Sequence, residues 1–156
     1  MKIEVGSKAP NFSLYSSEKE KISLSAYKGK NVVLLFFPLA FTSVCTKELC
    51  NVRDNIGIYN NSKASVFAIS VDSPQTLARF KEDQHLNFPL LSDFNKTVSE
   101  AYGCLYETFA MDMKGVSKRS AFVIDSDGVV KYAEVLDNAG EEPDYQAVEK
   151  SLEALS

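Results

Sequence analysis

Apolar residues recur along this chain with two different periods, and the switches between them divide it into strands and helices. Residues 32–37 form an unbroken apolar run of strand length, as expected for a central strand covered on both faces. Residues 65–71 read as a second such strand. Between them Cys45, Leu49, Val52, Ile56 and Tyr59 are spaced four, three, four and three, which is one face of a helix running to about Tyr59. Strand, helix, strand in that order predicts a parallel pair with a right-handed crossover.

The flanking segments complete the pattern. Residues 11–15 and 21–25 alternate apolar and polar positions around a charged turn, predicting an N-terminal β-hairpin. Ser73-Pro74 places a cap residue before a proline and so opens a helix that buries Leu77 and Phe80. A shorter helix is expected over 95–102, then a loop over 103–118. Residues 121–125 and 129–135 form a hairpin through Ser126-Asp127-Gly128. Pro143 is expected to open the last helix, with Tyr145, Val148, Leu152 and Leu155 facing inward. The fold class is α/β, with a mixed central sheet flanked by helices and a single domain over 1–156.

Composition narrows the function. The chain has 156 residues, 45% hydrophobic and 24% charged, which supports a real core in one domain. The net charge is −4 and the lysines at 19, 21, 28 and 30 are interleaved with Glu18 and Glu20, so nucleic acid is not an expected partner. No apolar run approaches the ~18 residues of a membrane span. The start, Met1-Lys2-Ile3-Glu4-Val5-Gly6, lacks the apolar core of an export signal. Three cysteines is an odd count, which favours reactive thiols in a reducing, cytoplasmic setting over a disulfide framework.

The chemistry concentrates in residues 36–50. A strand ends at a proline, a hydroxyl residue follows, and Cys45 lies two or three residues inside a helix. Thr42 or Ser43 suits the N-cap, where a side-chain oxygen accepts from a free N–H of the first turn. The helix dipole and those unpaired N–H groups favour an anion, hence a thiolate at Cys45. The stripe places Cys45 at the top of the core-facing side, in a half-buried pocket mouth where a thiolate can act as a nucleophile. From position alone, a buried and inert core cysteine fits equally well.

Pro38, Thr42 and Cys45 match the P-x-x-x-T/S-x-x-C pattern, and the chain resembles the peroxiredoxin family. The segment Lys118-Arg119-Ser120-Ala121-Phe122-Val123-Ile124-Asp125 resembles the one that carries that family's active-site arginine. The stretches Gly6 to Leu14 and Phe88 to Asp93 are similar to the family too, so the resemblance spans nearly the whole chain. It is nearest to the bacterioferritin-comigratory (PrxQ) and AhpE-like branches.

The resemblance implies a thioredoxin-like fold and a thiol-dependent peroxidase that needs no metal, flavin or haem. It implies that Cys45 attacks the peroxide O–O bond and becomes a sulfenic acid, releasing water or an alcohol. Thr42 would bond the thiolate or peroxide oxygen, and Pro38 would shield the sulfur from water. Arg119 would stabilise the thiolate and the charge growing on the leaving oxygen. Glu48, one turn past Cys45, would orient the arginine; without the resemblance it is an acidic residue well placed near a helix N-terminus. Cys50 would resolve Cys45 as a disulfide, which thioredoxin or a similar dithiol then reduces. The state would be monomer or homodimer.

The Cys45–Cys50 bond conflicts with an intact helix. Five residues along a helix is ~7.5 Å of rise and roughly 140° of rotation. Bridged cysteines need Cα atoms within ~7 Å. The first turns must therefore unwind after oxidation. Cys104 is the rival resolver, and an external thiol serves if neither bridges. Leu39, Phe41 and the Phe109/Met111/Met113 loop are candidates for an apolar pocket mouth.

Other chemistries fit poorly. His85 is the only histidine, reads as a surface helix end, and is weak support for a Cys–His hydrolase. C-x-x-x-x-C with one distant histidine is a poor zinc site, and the C-x-x-C redox spacing is absent. Asp125-Ser126-Asp127-Gly128 would need an acid where Leu136 stands to bind calcium. Gly29-Lys30 lacks the rest of a phosphate loop. Two further readings use the same thiol: a redox-switched binding protein and a protein thiol–disulfide exchanger. The exchanger leaves Pro38, Thr42 and Arg119 without a purpose.

Overall fold

A computed structural model describes residues 3–155. Its centre is a seven-stranded sheet in the order β2-β1-β5-β4-β3-β6-β7. The strands are β1 (Ser13–Ser16), β2 (Lys21–Ser23), β3 (Asn31–Phe36), β4 (Ala64–Ser70), β5 (Leu90–Ser92), β6 (Ser120–Ile124) and β7 (Val130–Val135). β3, β4 and β5 run parallel, and β6 joins β3 antiparallel. The β1/β2 hairpin closes one edge through β5, and β7 closes the other through β6. The sheet is therefore mixed, with the expected crossover between β3 and β4.

The helices are α1 (Ser43–Asp54), α2 (Ile56–Asn61), α3 (Pro74–Gln84), α4 (Thr97–Ala101) and α5 (Tyr145–Glu153). Alternation along β3 builds two cores. Val33, Leu35 and Phe37 face one side with Cys45, Leu49 and Val52 of α1, Tyr59 of α2, Phe80 of α3 and Leu152 of α5. Val32, Leu34 and Phe36 face the other, with Phe12, Leu14, Val98 and Tyr102. Full burial of Leu49 and Val52 fixes α1 on the sheet, at roughly 2 kcal/mol for each such side chain.

Three features of the fold depart from the sequence pattern. The helix carrying Cys45 does not run unbroken to Tyr59; it ends at Asp54 and resumes at Ile56. The Asn55 side chain donates to the Asn51 carbonyl (2.8 Å), a local bond that competes with the helix ladder. Ile56 and Tyr59 stay on the core side across the break. The last helix is capped by Asp144, which accepts from Ala147 N–H (3.1 Å), and starts at Tyr145 rather than at Pro143. β5 was not foreseen as a strand: it has only three residues and no room for a period to show.

The α3 start is as expected, since Ser73 Oγ accepts from Thr76 N–H (3.1 Å) ahead of Pro74. His85 is its exposed, left-handed C-cap. Gly128 takes a positive φ of 82° in the β6/β7 turn, as its position there requires. Among the described residues no helix is long and apolar enough to cross a membrane.

Candidate active site

β3 ends at Phe36, and the chain crosses to α1 through Phe37-Pro38-Leu39-Ala40-Phe41-Thr42. Cys45 is the third residue of α1, within the turn whose N–H groups have no helical acceptor. β6 lies beside β3, and Arg119 immediately precedes it. Two residues 74 apart in sequence thus meet at one end of the sheet.

Arg119 Nη2 donates to Cys45 Sγ at 3.3 Å and to the Ala139 carbonyl at 2.9 Å. Its Nη1 donates to Glu48 Oε1 at 2.7 Å. Glu48 is one helical turn beyond Cys45, on the same inner face. The guanidinium is buried at 1% exposure and the Glu48 carboxylate is fully buried. Arg119 Nε and Glu48 Oε2 find no hydrogen-bond partner among the described residues.

The charges respond asymmetrically. Burial pushes the Glu48 carboxyl up to about 7, against the pull of Arg119, with Glu142 and Glu134 adding to the rise. Burial opposes the Arg119 charge as well, but Glu48 and Cys45 outweigh it and hold the guanidinium above its ordinary value. The difference follows from the contacts: Arg119 meets Glu48, Cys45 and a carbonyl, whereas Glu48 meets a single donor and leaves Oε2 unpaired.

A pocket of about 120 Å³ opens onto Cys45, lined by Pro38, Leu39, Thr42, Val44, Phe109, Arg119 and Ala139 among others. Cys45 is only 2% exposed, so the expected half-buried sulfur is more deeply set. The pocket suits a small molecule with a polar head and an apolar tail, because Arg119 is its charged wall and Leu39, Val44 and Phe109 are apolar ones.

Thr42 occupies the N-cap position, but its hydroxyl does not cap: Oγ1 donates to the Leu39 carbonyl at 2.8 Å. The expected cap bond is absent because the hydroxyl is spent inside the turn that Phe41 shapes, with its positive φ of 66°. Pro38 is buried and its ring lines the pocket. Leu39 and Phe109 reach the pocket, as expected of the mouth. Phe41 instead packs edge-on against Phe80 (5.1 Å between ring centres), and Met111 is 86% exposed.

Cys50 is also in α1, half-buried, with Sγ donating to Gln84 Oε1 of α3 at 3.5 Å. Arg53 lies close enough for its charge to feel Cys50. Cys104 is fully buried, and burial pushes its thiol up to about 12. Sequence reasoning missed Ala139 and Asp72. Ala139 contributes only its backbone carbonyl, which no side-chain pattern announces. Asp72 accepts from Ala40 N–H and lies well outside the cysteine segment.

Residues 5–133 match the AhpC/TSA family, and the chain belongs to that family of peroxiredoxins. It is 38% identical over 157 residues to "Alkyl hydroperoxide reductase E" of Mycobacterium tuberculosis, covering 99% of each chain. It is 36% identical over 132 residues to "Peroxiredoxin Bcp" of Escherichia coli, covering 83% of this chain and 84% of that one. The fold is similar to that of the solved peroxidoxin BcpB of M. tuberculosis, with a TM-score of 0.87, 29% identity and 99% coverage of both chains. The architecture is thus the thioredoxin-like fold that the sequence resemblance implied, and relatives from both branches named there recur.

Proposed function

We propose that this chain is a thiol-dependent peroxidase for hydrogen peroxide and organic hydroperoxides, with Cys45 as its nucleophile. The observation that carries the reading is the 3.3 Å contact from Arg119 Nη2 to Cys45 Sγ at the mouth of a small pocket. A fixed guanidinium at that distance favours the thiolate, and the free N–H groups of the first turn of α1 add to it.

The thiolate attacks the terminal oxygen of the hydroperoxide. The S–O bond forms as the O–O bond breaks, leaving a sulfenic acid on Cys45 and an alkoxide or hydroxide that takes a proton to leave as alcohol or water. Arg119 stabilises the charge on the departing oxygen. Glu48 holds Arg119 in place. Pro38 keeps water from the sulfur, and the Thr42 hydroxyl, on turning from Leu39, donates to a peroxide oxygen. The apolar walls at Leu39, Val44 and Phe109 favour alkyl hydroperoxides.

Cys50 then attacks the sulfenic acid, expelling water and forming the Cys45–Cys50 disulfide. Both cysteines lie in one continuous helix, so α1 must unwind for this step. Thioredoxin or a similar cytoplasmic dithiol restores both thiols. The whole cycle belongs to one domain over residues 1–156. Steady-state peroxide consumption with a dithiol reductant tests the reading: Cys45→Ser abolishes it, and a serine variant that still consumes peroxide overturns it.

A further inference from the structure

The crossing from β3 to α1 carries Pro38, Thr42 and Cys45, yet little of it is held by regular secondary structure. Phe37 N–H still bonds to the Ile69 carbonyl of β4 (2.9 Å), and Pro38 has no N–H to give. The next anchor comes from outside the segment. Asp72 Oδ2 accepts from the Ala40 backbone N–H at 2.8 Å and from Ser70 Oγ at 2.7 Å. Asp72 is itself fixed: its own N–H donates to Ser70 Oγ (3.2 Å), and its carbonyl accepts from Ser92 Oγ at the end of β5 (2.6 Å). The residue after Ala40 is Phe41, a bulky side chain at φ 66°, a conformation that persists only when its surroundings enforce it.

We propose that Asp72 is a positioning residue for the reacting peroxide: its carboxylate, braced by the ends of β4 and β5, clamps Ala40 and so sets where Pro38 and the Thr42 hydroxyl stand around Cys45, while Arg119 is held separately by Glu48 and the Ala139 carbonyl. It touches none of the reacting atoms. The anchor is charge-assisted, and the ends of two strands determine its geometry, so the left-handed Phe41 is carried by the sheet rather than by the loop alone. A peroxide O–O bond must lie in line with the sulfur, and a shift of about 1 Å in such an arrangement can lower a rate by about 100-fold. This inference rests on the peroxidase reading of Cys45.

The test follows the fully reduced chain through a single oxidation by hydrogen peroxide, with quenched samples weighed by mass spectrometry. Alkylation of Cys45 by iodoacetamide, which needs a thiolate but no O–O alignment, is timed in parallel. In Asp72→Ala, oxidation slows about 10- to 100-fold. Alkylation stays within about threefold of the wild-type rate. Asp72→Asn keeps an acceptor oxygen and recovers most of the oxidation rate. Asp72→Glu keeps the charge but displaces the oxygen by one methylene and is slowed like the alanine variant, which serves if alanine does not fold. Urea midpoints confirm that each variant compared is folded. Oxidation at the wild-type rate in the alanine and glutamate variants overturns the inference. So does an equal fall in oxidation and alkylation, which would mean a changed thiolate rather than a changed geometry. A wild-type Cys45 that peroxide does not oxidise would instead sink the peroxidase reading, and this inference with it.

Discussion

Arg119 bonds Glu48 across 2.7 Å with both side chains buried, and the same guanidinium reaches Cys45 at 3.3 Å. A buried ion pair is weak evidence for stability, because desolvating two charges offsets most of their attraction. Here the pair has another use. It holds a planar cation against a sulfur at the end of a sheet, with both side chains of the pair buried.

That arrangement makes stability depend on pH in a definite direction. Folded Glu48 holds its proton up to about pH 7, while the unfolded carboxyl ionises near its ordinary value of 4.5. Between these values the folded chain binds more protons, so this contribution is full below about pH 4.5 and is lost as pH rises through 7. Other carboxylates titrate nearby, so the effect is read as a difference from Glu48→Gln. The wild type loses up to about 3 kcal/mol relative to the variant across that window, by urea unfolding at a series of pH values. A difference that is flat with pH contradicts the assignment.

Removing the cation acts on rate and on stability together. Arg119→Ala slows Cys45 oxidation about 100- to 1,000-fold, the scale of losing one preorganised charge stabiliser. It also leaves Glu48 buried without a partner. Arg119→Lys keeps the charge but cannot hold Glu48, Cys45 and the Ala139 carbonyl at once, so its rate falls between the two. Stopped-flow oxidation of the reduced chains checks the order wild type, lysine, alanine.

Cys104 is expected to take no part in the proposed cycle. Its thiol is fully buried and burial raises it to about 12, so it stays protonated at neutral pH. Cys104→Ala leaves peroxide turnover unchanged and destabilises by about 1 kcal/mol from lost packing. Loss of turnover in a folded Cys104→Ala chain would move resolution from Cys50 to the 103–118 loop.

The proposed Cys45–Cys50 disulfide predicts that oxidation loosens α1. Amide hydrogen exchange across 43–50 speeds up when the wild-type chain is oxidised and stays slow in oxidised Cys50→Ser, which cannot close the disulfide. The bond from Cys50 to Gln84 is among the contacts given up. Equal exchange in the two chains means that no unwinding accompanies the chemistry.

Much of this was legible in the sequence, and the failures have physical causes. β3, β4 and the core face of α1 are long enough for a period to show, and each packs as its pattern predicts. β5 is too short for that, and its place between β4 and β1 is set by tertiary pairing. The break at Asn55 turns on one side-chain bond, which leaves the apolar spacing intact. Thr42 stands at the expected N-cap position, yet a left-handed Phe41 sends its hydroxyl to Leu39. Glu48 and Arg119 were visible as residues, but their burial was not, since an isolated charge is ordinarily a surface feature. Ala139 and Asp72 act through the backbone or upon it, and no residue spacing encodes that.

The most direct test weighs the intact chain, without reductant, after one equivalent of peroxide, and maps the linked peptides. The account predicts the loss of a pair of hydrogens and a Cys45–Cys50 link, neither of which appears in Cys45→Ser. An unchanged mass, or oxidation that persists when Cys45 is replaced, would contradict it.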